Sequence, residues 1–104
     1  MKRDMYRQGD VLLVAADQLP PGAEALPPGD RIVLAYGEVT GHAHAVSVMQ
    51  AQMYADGDVR YLMVHEGSAD LVHEEHSTIH LPPGVYRVVQ QREYVPSSSR
   101  LVLD

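Results

Sequence analysis

Six histidines fall between His42 and His80, and four of them form two tight doublets, Gly41-His42-Ala43-His44 and His73-Glu74-Glu75-His76. Imidazole is the commonest protein ligand for borderline divalent metals and titrates near neutral pH. On a strand, alternate side chains share a face, so His42 and His44 project together and can chelate one ion. Gly41 before them permits a bend that aims His42 inward. His73 and His76 bracket two glutamates; as a hairpin turn, this segment sets the two imidazoles side by side. Four imidazoles complete a closed, structural metal site, whereas three imidazoles with Glu74 or Glu75 leave the open position a catalytic metal needs. The expected ligands are therefore His42, His44, His73 and His76. Glu74 and Glu75 are candidate ligands, outer partners or, in an enzyme, proton carriers. Zinc is the default for a nitrogen-rich divalent site, with iron, nickel, manganese and copper as alternatives.

Blander readings compete with this one. His65 and His80 stand alone and are expected as surface or hydrogen-bonded residues. The second doublet is not the His-Glu-x-x-His helix of zinc proteases, because its histidines are three residues apart rather than four. Without a metal, the same cluster would make a proton-sensitive interface.

The elements that must position these residues read as sheet. The chain has 104 residues, one domain's worth, with no Phe, Trp or Cys and fourteen Val. Valine is stiff at χ1 and suits a pleated surface. Short β-type segments are expected at Asp10–Ala15, Arg31–Tyr36, His44–Gln50, Val59–His65, Ala69–His73, Ser77–Leu81 and Val85–Gln91. Ala51–Ala55 is placed across from Tyr61, and Leu101–Leu103 forms an eighth or edge segment. Asp56-Gly57 signals a hairpin. Leu-Pro-Pro-Gly recurs at Leu19–Gly22, Leu26–Gly29 and Leu81–Gly84 as turn chemistry rather than as a structural repeat. The pattern predicts an all-β domain over residues 1–95, a small barrel or sandwich, followed by a connector and tail at 96–104. Ser68–His80 is open to two geometries. A helix with Ser68 as N-cap would align His73, His76 and His80, but Ser77, Thr78 and Ile79 are poor helix formers and favour strand–turn–strand. Asp17–Asp30 reads as a lid, an arm or plain surface.

Composition excludes several functions. The formal charge of −6 and the absence of a basic run disfavour nucleic-acid binding. Lack of Cys removes thiolate ligands and thiol catalysis. The longest apolar run, Val11 to Ala16, is too short for a membrane span or signal core, so a cytoplasmic protein is expected. Ser68 and Ser97–Ser99 lack the context of a hydrolase nucleophile, and phosphate-binding glycine loops are absent. Arg87, Gln91, Arg92, Glu93 and Tyr94 read as a solvated strand edge. Open sheet edges make a homo-oligomer plausible.

Gly37 with His42-Ala43-His44, and Pro82-Pro83-Gly84-Val85-Tyr86 opening a strand, resemble the two motifs of the cupin superfamily across roughly residues 37–91. The resemblance implies a small β-barrel holding a divalent metal, with oxygenase or isomerase chemistry. It carries over only to His42 and His44. Val48 and Met49, with Gln50 next, stand where the motif's glutamate is expected, and Arg87 stands at its second-motif histidine. The opening Gln8-Gly9-Asp10-Val11-Leu12-Leu13 also resembles the start of small co-chaperonin-like barrels, without implying a function.

Overall fold

The computed structural model describes residues 4–37 and 41–91; the expected tail at 96–104, the Leu101–Leu103 segment, and Arg92, Glu93 and Tyr94 lie outside them. Strands β1 (Met5–Gln8), β2 (Val11–Ala16), β3 (Glu24–Ala25), β4 (Arg31–Tyr36) and β5 (Ala43–Ser47) are followed by β6 (Ala51–Asp56), β7 (Val59–Val64), β8 (Ala69–His73), β9 (His76–Leu81) and β10 (Gly84–Gln90). No helix occurs among the described residues, so Ser68–His80 is strand–turn–strand.

Two antiparallel sheets face each other, ordered β1-β2-β10-β7-β6-β3 and β4-β5-β8-β9. They do not close on one another, so of the two expected architectures the sandwich is the one adopted. Alternation fills the space between them: Val11 and Leu13 from β2, Leu62 and Val64 from β7, and Tyr86 and Val88 from β10 meet Ile32 and Leu34 of β4, Val46 of β5 and Leu71 of β8. Valine and leucine at every second position make this core without Phe or Trp, as expected for a pleated, half-buried surface. Tyr86 supplies the large ring. Its hydroxyl donates to the Pro82 carbonyl at 2.7 Å, and its burial, with Tyr6 and Asp4 alongside, pushes the phenol up to about 12.

Turn residues fall where chemistry demands them. Gly57 takes φ of 62° in the β6–β7 hairpin, where Asp56 pairs with Val59. Gly9 takes φ of 58° in the β1–β2 hairpin, where Gln8 pairs with Val11. Strand β5 stops at Ser47, short of the expected Gln50, because the Ser47 hydroxyl and carbonyl accept from the Met49 and Gln50 amides and turn the chain. Within Asp17–Asp30, Glu24–Ala25 form β3, which borders one edge of the larger sheet by pairing Glu24 with Ala55. The opposite edge, β1, runs beside β9, the edge of the smaller sheet. This seam between two edges is where the histidines gather.

Candidate functional site

Three turns or strand ends build the site. The β8–β9 hairpin pairs His73 directly with His76 around Glu74 and Glu75. Strand β5 presents His44 on the same face as Val46, so its ring enters the inter-sheet space and is only 2% exposed. The β1–β2 hairpin, Gln8-Gly9-Asp10-Val11, approaches from the other sheet. A Cβ on Gly9 would lie 2.9 Å from His76 Nε2 and 3.2 Å from His44 Cε1, so glycine is needed for space as well as for its φ. Gly37 matters at His73 for space alone, since a Cβ there would come within 2.9 Å of Nε2.

The two doublets therefore meet. Ring centres of His73 and His76 are 4.7 Å apart, those of His44 and His76 5.7 Å, and those of His42 and His73 5.9 Å. His44 and His73 are closer, at 4.3 Å with a 38° tilt. With zinc–nitrogen bonds of about 2.0–2.1 Å, tetrahedral imidazole ligands place their ring centres about 5 Å apart. The spacing suits a shared ion, but the rings here pack on one another. Among the described residues no group of three His, Asp or Glu side chains is arranged to hold a metal ion as it stands. Ion capture requires side-chain rotation.

Hydrogen bonds set the state of each ring. The Gln8 side chain, itself 2% exposed, donates through Nε2 to the carbonyls of Leu71 at 3.0 Å and Ser77 at 2.9 Å. Its Oε1 is thus the end that meets His44 Nδ1, at 2.9 Å. An amide oxygen only accepts, so Nδ1 carries the hydrogen and Nε2 of the neutral ring keeps a lone pair. His73 has the opposite tautomer, because the Glu75 amide donates to its Nδ1 at 3.0 Å. His42 Nδ1 lies 3.0 Å from Glu75 Oε2 but without hydrogen-bond alignment, and this buried nitrogen has no other partner among the described residues.

The acids divide by role. Glu74 Oε1 accepts from the Ala43 amide at 3.0 Å, which holds its carboxyl below the usual range and makes it a poor base. Glu75 is bound only loosely, beside His42. Asp10 Oδ1 lies 3.4 Å from His44 Nε2. Desolvation first, and then His73, depress the His44 imidazole; Asp10 opposes them, and His76 adds to the depression. His80 lies elsewhere, exposed and paired with Asp70 at 2.9 Å. His65 is also exposed and contributes only turn backbone, its amide donating to Gln50.

Sequence reasoning placed all four histidines but missed Gln8, Gly9 and Asp10. Their one local signal was a Gly-Asp turn before an apolar run. Nothing local says that Gln8 will reach carbonyls 63 and 69 residues away.

A family model described as a domain of unknown function (DUF8820) matches residues 7–91, a span that includes every side chain of this site. No curated protein and no solved structure matches the chain.

Proposed function

We propose that this chain, which belongs to the DUF8820 family of domains of unknown function, is a small divalent-metal-binding β-protein whose ion is taken up by the imidazoles of His42, His44, His73 and His76. The observation that carries this reading is the buried His44 ring, whose Nδ1 is committed to Gln8 and which packs beside the imidazoles of His73 and His76. Metal-binding histidines ordinarily donate their second nitrogen to such an outer partner, which fixes the tautomer. His73 joins the set only by giving up the bond from the Glu75 amide. Zinc is the default occupant, with iron, nickel, manganese or copper as alternatives. Bound there, the ion would tie β5 to the β8–β9 hairpin. We place the protein in the cytoplasm, the default setting for a small chain of this composition.

Elemental analysis of untagged protein tests the reading. One equivalent of a transition metal is expected, lost when His42→Ala and His76→Ala are combined. Substoichiometric metal that the double variant leaves unchanged removes the site.

Two alternatives have support of their own. A cupin-like oxygenase or isomerase would use an open coordination position, at which the ion would polarise an oxygen ligand; Glu75, less tightly held than Glu74, is then the better proton carrier. A metal-free, self-associating module is favoured by the burial of His44 beside the His73 and His76 rings, which lowers its imidazole and makes it responsive to pH.

A further inference from the structure

We infer that the second seam of the sandwich, opposite the histidines, binds a small organic carboxylate with a short apolar group, held by the guanidinium of Arg60. The histidine cluster takes no part in it, so this inference stands apart from the metal-binding reading.

The seam follows from the sheet order. With β1 beside β9 on one side, the other two edges, β3 and β4, border the opposite side of the sandwich. Here lies a cavity of about 130 Å³, walled by Leu26 and Pro27 from the β3–β4 connection, Ile32 of β4 and Met53 of β6. The connection is the second Leu-Pro-Pro-Gly segment, and it is pinned. The Leu26 amide donates to the Met53 carbonyl at 2.9 Å, and Gln52 Nε2 donates to the carbonyls of Leu26 at 2.8 Å and Met53 at 2.9 Å. Two prolines with fixed φ stiffen it further. A cavity of about 150 Å³ admits a molecule the size of benzene, so this one has room for about six or seven non-hydrogen atoms.

The polar groups set the sign of the ligand. Alternation along β7 puts Arg60 on the inward face with the buried Leu62 and Val64. Its Nη2 donates to the carbonyl of Leu34, which the β-bulge between Val33 and Ala35 leaves out of the β4–β5 register. That is one acceptor for a group that carries five N–H donors. Among the described residues no carboxylate pairs with Arg60, and burial lowers its pKa with no acid to oppose the effect. A half-buried cation without a counter-ion is unfavourable, and a carboxylate that takes two of its N–H groups offsets this. Arg31 also lines the cavity and no Asp or Glu does, in a chain with 14 acidic and 8 basic residues. A cationic ligand would meet no opposite charge here. The apolar wall selects an organic acid over bare phosphate.

The test titrates the full, untagged, isotope-labelled chain with isovalerate, a branched acid of the right size, and follows it by NMR. Isovaleramide, inorganic phosphate and sodium chloride of matched ionic strength are titrated alongside. Saturable shifts are expected at the Arg60 Nε–H and the Met53 methyl, with the amide and phosphate bound at least about tenfold more weakly. Arg60→Gln is expected to weaken isovalerate binding by about tenfold or more. Should that variant not fold by circular dichroism, wild type decides by the acid against the nearly isosteric amide. Equal affinity for the two overturns the inference, because the charge then has no partner. Phosphate bound as tightly as isovalerate overturns it as well, since the apolar wall then selects nothing. Shifts no larger than those in sodium chloride, or centred on the histidines, also end it.

Discussion

His44 concentrates the consequences of burial in one side chain. Desolvation, with His73 the next largest influence, holds its folded pKa below the ordinary value of 6.5, while the unfolded chain takes up a proton near that value. Below about pH 6.5 the unfolded state therefore binds more protons, and stability falls with falling pH until the lowered folded value is reached. In chelator, the denaturation midpoint is expected to drop between about pH 7.5 and 5, and His44→Gln should flatten that drop. An equal slope in the variant would assign the dependence elsewhere. Glu74 acts in the same direction further down, because its depressed carboxyl contributes stability that is lost as pH falls below about 4.5. At this scale the sequence named the rings that the structure brings together. Spacing brought His73 and His76 together across a two-residue turn. It did not reveal opposite tautomers for His44 and His73, since these depend on a distant glutamine and on a local amide respectively.

The strands hold those side chains because the two sheets are tied at points away from the site as well. Arg60 of β7 donates through Nη2 to the Leu34 carbonyl of β4, and burial lowers its pKa. Its loss leaves that carbonyl without this donor. Arg60→Ala is therefore expected to destabilise the protein by about 1–3 kcal/mol in urea denaturation, with the cluster's composition untouched. A change below about 0.5 kcal/mol would show that water replaces the guanidinium freely. Element reading from sequence worked where hydrophobic alternation met turn chemistry. The Asp56-Gly57 hairpin and the strands around Leu81–Gly84 are examples. It failed for β1, whose inward positions are Tyr6 and the polar Gln8 while the apolar Met5 is exposed, and for β3, which is two exposed residues, so neither shows an apolar alternation in sequence. The short strand β1 nevertheless supplies Gln8, the hydrogen-bond partner of His44.

The molecule as a whole is a sandwich with exposed edges. Strand β4 borders the smaller sheet, with Tyr36 73% exposed at its end. If the metal-free, self-associating alternative is right, sedimentation velocity in chelator should show a sedimentation coefficient that changes between about pH 5 and 7 and ceases to change in His44→Gln. A monomer at every pH would end that alternative and leave the metal reading alone in the field. All-β character was legible from valine content, alternation and turn residues, which act locally and are written in adjacent positions. The four clustered histidines were legible for the same reason, each doublet being a local motif. Closure into a barrel or opening into a sandwich was not, because it depends on whether edges separated by the whole chain pair or merely lie side by side. Nor was the Gln8-Gly9-Asp10 contribution, which exists only because β1 and β9, some seventy residues apart in sequence, come to border one seam. Local chemistry wrote the strands and the rings; long-range packing alone decided which polar groups face them.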